Sequence, residues 1–209
     1  MSHLRPRYEN QFNPNELLPE TAPDRVTIAP RRAVSRGIEL FFESDAAKRF
    51  DWWAGYTLSS SDDQFGRRSV PRSWDQTHSF SFGLGYRFEP GWEIDLSGIY
   101  HSGWPTTGVQ ARAVTDPNGI VTIEPELAAR NGERFSPYHR LDLKLLRKVN
   151  VRRSALTIFL EVLNLYDRDN VCCVDEFSFT ASAGGDVSVE RREGFWLGRV
   201  PPMGIVWEF

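Results

Sequence analysis

Several signals that would place this chain in a familiar class are absent from its sequence. No uninterrupted apolar run reaches about 18 residues, which excludes a membrane-spanning helix. The net charge is only -3 and the arginine pairs are scattered, so no nucleic-acid partner is expected. There is no Gly-x-Ser-x-Gly elbow, no His-Glu-x-x-His and no glycine-rich phosphate loop. We therefore predict neither an enzyme nor a bound cofactor.

The sequence has instead long stretches in which apolar and polar residues alternate. In residues 79–88, five large apolar side chains alternate with serine, glycine and arginine. This two-residue period predicts β-strands with one apolar and one polar face. The alternating segments assign these residues to the apolar face: Ile38, Leu40, Phe42, Trp52, Ala54, Tyr56, Leu58, Phe80, Phe82, Leu84, Tyr86, Phe88, Trp92, Ile94, Leu96, Gly98, Tyr100, Leu141, Leu143, Leu145, Leu156, Ile158, Leu160, Val162, Ile205, Trp207 and Phe209.

The lengths of the strands and of their connections indicate what the apolar face contacts. We count about seven strands of roughly 9 to 12 residues, the length at which a tilted strand crosses a bilayer. Short connections alternate with long ones, which is typical of barrels with short periplasmic turns and long extracellular loops. We therefore predict an all-β fold, an antiparallel transmembrane β-barrel segment whose apolar face contacts outer-membrane lipid.

Residues between the apolar positions would face a water-filled lumen. The charged candidates for this face are Glu93, Asp95, Arg140, Asp142, Lys144 and Glu161. A ladder of cross-strand ion pairs is the simpler interpretation of these charges, and contact with a plug or a ligand path is the alternative. Aromatic residues near the strand ends are expected to form interfacial girdles, with Tyr86, Phe88, Trp92, Trp207 and Phe209 at the lower interface and Tyr100 and Trp104 at the upper one.

Two regions of the chain differ in pattern. Residues 1–32 are predicted to be an extracellular loop or a disordered segment, and residues 33–209 hold the barrel strands. The first ten residues lack the apolar core of a signal peptide, and about seven strands are too few to enclose a wide lumen. We therefore expect the C-terminal piece of a larger barrel. Alone it should form an open curved sheet with unpaired edges at Ala33 to Ser44 and at Trp196 to Phe209.

The order of several short segments resembles that of the TonB-dependent outer-membrane receptors. These segments are Ser35-Arg36-Gly37-Ile38-Glu39-Leu40, Trp74-Asp75-Gln76-Thr77-His78, Tyr100-His101-Ser102-Gly103-Trp104-Pro105, Tyr138-His139-Arg140-Leu141-Asp142-Leu143, the run from Glu161 to Val171, and Phe209. The resemblance spans roughly Ala33 to Phe209 and corresponds to the last third of the family's barrel.

This resemblance implies a complete barrel of about 22 strands around an N-terminal plug. It implies uptake of a scarce ligand such as a ferric siderophore or cobalamin, driven by TonB through the plug. The remaining strands and the plug would then be partners of this chain. Ile205, Trp207 and Phe209 would form the signal that the barrel-assembly machinery recognises, and the location would be the bacterial outer membrane.

The long loops are where ligand specificity would lie. Thr115 to Gly119 is a turn signal between two β-prone runs and predicts a hairpin above the membrane. Cys172 and Cys173 are adjacent, so a bond between them would be strained, and a vicinal disulfide or two free thiols are both open. No metal site is expected there.

Two other functions remain as alternatives. A soluble carbohydrate-binding β-sandwich would pack its apolar faces together and use its aromatics as a sugar platform. A passive porin-like channel would keep the barrel without active uptake. The sandwich does not explain the many outward aromatic positions or the alternation of short and long connections.

Overall fold

The computed structural model describes residues 5–47, 49–152, 154–182 and 186–209. The first four residues of the predicted N-terminal segment lie outside the described residues. Lys48 and Arg153 in two predicted turns, and residues 183–185 in the last predicted loop, lie outside them as well.

The protein is all-β, as predicted, with antiparallel pairing in every sheet. A single 3-10 turn, Pro19–Thr21, is the one helical element in the described part of the chain. Within the same residues, no helix combines the length and apolarity needed to cross a membrane. The strands are β1 (Arg7–Asn10), β2 (Arg25–Ile28), β3 (Arg32–Ala47), β4 (Phe50–Phe65), β5 (Arg68–Pro71), β6 (His78–Glu89), β7 (Trp92–His101), β8 (Pro105–Thr106), β9 (Val109–Thr115), β10 (Val121–Leu127), β11 (Glu133–Arg134), β12 (Tyr138–Val151), β13 (Ser154–Val162), β14 (Val171–Ala181), β15 (Val187–Phe195) and β16 (Met203–Glu208).

Seven strands form one open meander in the order β16-β13-β12-β7-β6-β4-β3, with β5 added beside β4. The predicted strands and their sequential pairing are thus present. Strands β3 and β16 are the two edges, as expected, although β16 begins at Met203 rather than at Trp196. Among the described residues no pairing joins the two edges, so the sheet does not close into a barrel.

Tight turns join the sheet strands at one end and long loops join them at the other. Gly91, in the turn between β6 and β7, has a φ of +78° and packs against the carbonyl oxygen of Lys148, so that a side chain there would be both strained and crowded. The long loops carry their own hairpins, β9-β10 and β14-β15. The predicted turn from Thr115 to Gly119 does connect β9 to β10.

The register aligns the predicted apolar residues of neighbouring strands in continuous rows. One row runs from Trp52 to Leu84, Leu96, Leu143 and Val162 across five strands. Because side chains alternate between faces, this register places the predicted apolar residues that it pairs on one face. Many of them are strongly exposed, such as Ile38 at 64%, Phe42 at 60% and Ile205 at 69%.

Glycines leave room for aromatic rings of adjacent strands on both faces. On the apolar face the Phe82 ring lies over Gly98, and on the opposite face the Trp53 indole lies over Gly83. The Phe159 ring covers Gly204 in the same way, 2.6 Å from the position that a Cβ would take. In each contact an aromatic ring covers the glycine and supplies the packing that the missing side chain would otherwise provide.

The buried large apolar side chains lie among the long loops and the N-terminal hairpin, which together we call the loop layer, and not along the sheet. Ile28, Phe135 and Val171 are the buried apolar residues of the described chain, and all three lie in or beside the loops. Residues 7–28, predicted as an extracellular loop or a disordered segment, contain the paired strands β1 and β2. This hairpin packs on the loops, since the backbone N–H of Val174 donates to the carbonyl of Phe12 over 3.0 Å.

Candidate functional site

The six predicted lumen residues all lie on the face opposite the apolar rows. Asp95, Lys144 and Glu161 face one another directly, on β7, β12 and β13. Gly85 and Asp51 continue the same row on β6 and β4. In this row the cationic Lys144 lies between Asp95 and Glu161. Opposite charges placed in this way on adjacent strands attract one another.

The other predicted lumen residues are held by nearer partners. Asp142 accepts an ion-pair contact from Arg140 at 3.0 Å and a hydrogen bond from the backbone N–H of Asn164 at 2.8 Å. Glu93 lies 3.9 Å from Arg87, which also pairs with Asp51. These exposed and half-buried pairs contribute little to stability individually, and together they keep this face polar.

Asn164 organises the chain where β13 ends and the last long loop begins. It is 1% exposed and has a φ of +54°, a conformation that asparagine tolerates better than most residues. Its side-chain amide donates to the carbonyl of Arg168 at 2.9 Å and its side-chain oxygen accepts from the Arg168 N–H at 3.0 Å. The side chain therefore closes the corner formed by residues 164–168.

Asn170, a few residues further on, extends the pairing of β12. Its amide donates to the carbonyl of His139 and its oxygen accepts from the His139 N–H, both at 3.0 Å. Close by, the Tyr166 hydroxyl lies 2.7 Å from Nδ1 of His139. Burial raises the pKa of Tyr166, so the hydroxyl keeps its proton and can donate to that nitrogen.

A buried ionic cluster fixes the N-terminal hairpin to the loops. Glu9 of β1 pairs with Arg7 at 2.7 Å and with Arg130, and it accepts a hydrogen bond from Ser73 at 3.0 Å. Arg7 also pairs with Asp63, only 3% of which is exposed, at 2.5 Å. Since β1, β4 and two long loops each supply a member, the cluster holds separate parts of the chain in one layer.

A second ion pair, of which only the carboxylate is buried, joins the loops that follow β4 and β7. The Arg134 guanidinium pairs with the Asp75 carboxylate and donates to the carbonyl oxygens of Asp75 at 3.1 Å and Gly103 at 2.9 Å. Asp75 is 4% exposed, and its other carboxylate oxygen accepts from the Ser61 N–H at 2.6 Å. A carboxylate this buried is stable only while such partners satisfy it.

Beside this pair lies a group of rings, which we call the loop aromatic cluster. Its members are Trp74, His101, Trp104, Tyr138 and Trp196. Their ring centroids lie 4.9 Å apart for His101 and Tyr138, 4.8 Å for His101 and Trp104, 6.0 Å for Trp74 and Trp104, and 6.4 Å for Trp104 and Trp196. Trp104 is therefore the central ring.

The position of Trp104 corrects one prediction. Trp104 was expected in an outward girdle, but it contacts His101, which shares a face with the lumen residues and not with the apolar rows. The reason is that β7 ends at His101, so strand alternation no longer determines the direction of Trp104. Alternation does place His101 and Tyr138 on one face, but no sequence pattern brings the three tryptophans together.

Aromatic residues at the turn end of the sheet do lie together on the apolar face. Tyr86, Phe88 and Trp92 stack in sequence, with centroid distances of 6.5 and 6.1 Å. Arg147, which occupies the apolar row of β12, lies 5.0 Å above the Trp92 ring and donates to the carbonyl of Pro90 at 2.9 Å. A guanidinium on this face can keep its charged end in water while its stem lies on apolar surface.

The last long loop contains a disulfide. The structure pairs Cys172 with Cys173 in a vicinal disulfide, one of the two alternatives that the sequence leaves open. The pairing of β14 with β15 shifts register on both sides of this bond. Asn15 of the N-terminal segment donates to the Cys172 carbonyl at 3.2 Å. Among the residues described, no three His, Cys, Asp or Glu side chains form a group that could hold a metal.

The β9-β10 turn has its own polar anchor. The Asp116 carboxylate accepts backbone hydrogen bonds from Ile120 and Asn118, each at 2.8 Å. The hydrogen bond from Ile120 and then that from Asn118 lower the pKa of Asp116 below its ordinary value.

No family model, no curated protein and no solved structure matches this chain.

Proposed function

We propose that this chain is the C-terminal part of a TonB-dependent outer-membrane transporter that takes up a scarce ligand, such as a ferric siderophore or cobalamin. The observation that carries the proposal is the apolar face of the seven-strand meander. Its side chains are aligned in register over neighbouring strands, yet members on three different strands, Phe42, Leu160 and Trp207, are 60%, 49% and 66% exposed.

An exposed apolar face of this extent requires an apolar environment. Soluble monomers rarely expose a contiguous apolar patch larger than a few hundred Å². Lipid hydrocarbon provides that environment for strands whose backbone groups are paired with neighbours. The polar opposite face, with Asp95, Lys144 and Glu161 in one row, suits a water-filled lumen.

The open edges favour a larger barrel. The long edge strand β3 and the short edge strand β16 would each leave unpaired backbone groups in lipid, which is costly. Further strands would therefore pair with them, and a plug within the completed barrel would supply the contact with TonB. In this proposal Ile205, Trp207 and Phe209 are recognised by the barrel-assembly machinery, and the outer membrane is the location.

The β-sandwich alternative requires a second sheet over the apolar face. In the described residues the smaller sheets are two-stranded and belong to the N-terminal hairpin and the long loops. Residues such as Leu40, 47% exposed, and Ile205, 69% exposed, consequently have no second layer against them. This exposure favours the membrane proposal over the sandwich.

Fractionation tests the proposal. The chain is produced with an export signal in a bacterium, and its outer membranes are washed with urea. We expect the protein to stay in the outer-membrane fraction and to require detergent for extraction. Recovery as a monodisperse protein in detergent-free buffer would contradict the proposal and favour the sandwich.

A further inference from the structure

The loop aromatic cluster has no role in the function proposed above. Its two outer indoles are exposed, Trp74 to 56% and Trp196 to 39%, although both contact the half-buried Trp104. They come from different long loops, one between β4 and β6 and one between β15 and β16. Because Trp104 contacts His101, whose side chain lies on the polar face of the sheet, the cluster adjoins the polar face and not the apolar one.

The backbone around the cluster is held in place. Arg134 binds the carbonyls of Asp75 and Gly103, the residues next to Trp74 and Trp104, over 3.1 and 2.9 Å. The N–H of Trp196 donates to the carbonyl of Asn170 at 2.9 Å. Rings that are already ordered lose little conformational entropy when a ligand binds, so exposed indoles in a fixed arrangement can bind with useful affinity.

The charges around the cluster indicate the kind of ligand. The nearby guanidinium of Arg134 is engaged by Asp75. That of Arg191, which lies 5.7 Å from the Phe135 ring centroid, pairs with Glu133 at 3.5 Å and Glu193 at 2.5 Å. An anionic ligand would have to compete with these carboxylates. An uncharged ligand that presents flat C–H-rich surfaces to the indole faces can bind without displacing any of these carboxylates.

We propose that the loop aromatic cluster binds an uncharged oligosaccharide, whose pyranose rings stack on Trp74 and Trp196 at the mouth of the lumen. The inference deepens the proposed function and rests on it, because it assigns the ligand class of the same transporter. Trp104 forms the central contact between the two outer rings and packs on His101, which itself stacks on Tyr138.

Binding is measured on the full chain in detergent micelles by calorimetry and by tryptophan fluorescence. The probes are the neutral hexasaccharides of maltose, cellulose, laminarin and xylan type, with an anionic ferric catecholate complex as the competing class. The variants are Trp74→Ala and Trp196→Ala. Trp52→Ala is the matched control, because it removes an indole from the apolar face of β4.

We expect at least one hexasaccharide to bind saturably, with an affinity about tenfold lower in Trp74→Ala and in Trp196→Ala and unchanged in Trp52→Ala. Trp74→Tyr, which keeps a stacking ring, should recover part of the loss. Binding of none of the hexasaccharides, equal binding by all variants, or binding of the ferric complex alone would overturn the ligand assignment.

Insertion into lipid vesicles is recorded on the same preparations, so that the two proposals fail separately. Protein that inserts but binds no hexasaccharide refutes the ligand class and leaves the transporter proposal standing. Protein that binds a hexasaccharide through Trp74 and Trp196 but stays out of vesicles supports the ligand class and refutes the transporter proposal.

Discussion

The ring of Phe82 lies directly over Gly98 on the neighbouring strand, where a Cβ would meet the ring edge. Gly98→Ala should therefore displace the ring and destabilise the sheet by about 1–3 kcal/mol, the usual cost of overpacking. The free energy of unfolding in detergent, measured by urea titration, checks this value.

Gly55→Ala is the matched control for that substitution. A Cβ at Gly55 would meet Phe41 at 3.5 Å and Ser81 at 3.6 Å, which are ordinary contacts. Its effect should be small or stabilising, because alanine restricts the unfolded chain. Equal losses of stability in Gly98→Ala and Gly55→Ala would show that crowding of the Phe82 ring is not what destabilises Gly98→Ala.

A charge on the apolar face should cost far more than the same charge on the opposite face. Leu84→Arg, in the middle of β6, should lower the stability of the protein in lipid vesicles by about 2–4 kcal/mol. Ser81→Arg, three residues away on the lumen face, should change it by less than about 1 kcal/mol. Equal effects of the two substitutions in vesicles would be incompatible with a lipid-facing row.

Loss of the Arg134 guanidinium should loosen the loops that it joins. Arg134→Met leaves the carboxylate of Asp75, 4% exposed, without its ionic partner, and because the guanidinium itself is partly exposed we expect a cost of about 1–3 kcal/mol. Hydrogen exchange should then accelerate in residues 72–76 and 103–106. In the control Arg112→Met, the exposed pair of Arg112 with Glu124 is lost, and about 0–1 kcal/mol is expected. Unchanged exchange in Arg134→Met would show that the ion pair does not hold these loops together.

Low pH should weaken the hydrogen bonds that hold the β9-β10 turn. The pKa of Asp116 in the folded protein is below its unfolded value of about 3.8. The stabilisation from the ionised carboxylate is therefore fully present above about pH 3.8 and is lost as the pH falls through the folded pKa. NMR of the Asp116 carboxyl carbon should give a titration midpoint below 3.8. Over the same range the amide signals of Asn118 and Ile120 should shift. A midpoint at or above the ordinary value would contradict these hydrogen bonds.

Phe209 should affect assembly more than folding. Its side chain is fully exposed, so little intramolecular packing is lost in Phe209→Ser. Refolding into detergent should stay close to that of the unchanged chain, and the amount assembled into outer membranes of living cells should fall. Unchanged assembly in cells would argue against recognition of this residue by the assembly machinery.

The strands of the sheet could be predicted because alternation over about ten residues determines both the strand and its face. Leu84, for example, lies on the same face as Leu96 and Leu143, as its position in the pattern indicates. The β9-β10 hairpin was also predictable, since Asp116 and Gly119 are local turn signals.

The loop layer could not be predicted in the same way. The contact between Glu9 and Arg130 joins residues that are 121 positions apart, and nothing local marks either one. The predicted lumen charges came from alternation, which gives the face but not the partner. It could not show that Asp142 is held by the N–H of Asn164. The loop aromatic cluster depends on long-range pairing of this kind.

The central claim is that alternate residues of these strands contact lipid, and spin labels on β12 test it most directly. Single labels are placed at residues 141 to 145 of the chain in outer-membrane vesicles, and their collision rates with oxygen and with a water-soluble nickel complex are measured. The account predicts high oxygen accessibility at 141, 143 and 145 and high nickel accessibility at 142 and 144. The same accessibility at all five positions, or nickel maxima at 141, 143 and 145, would contradict it.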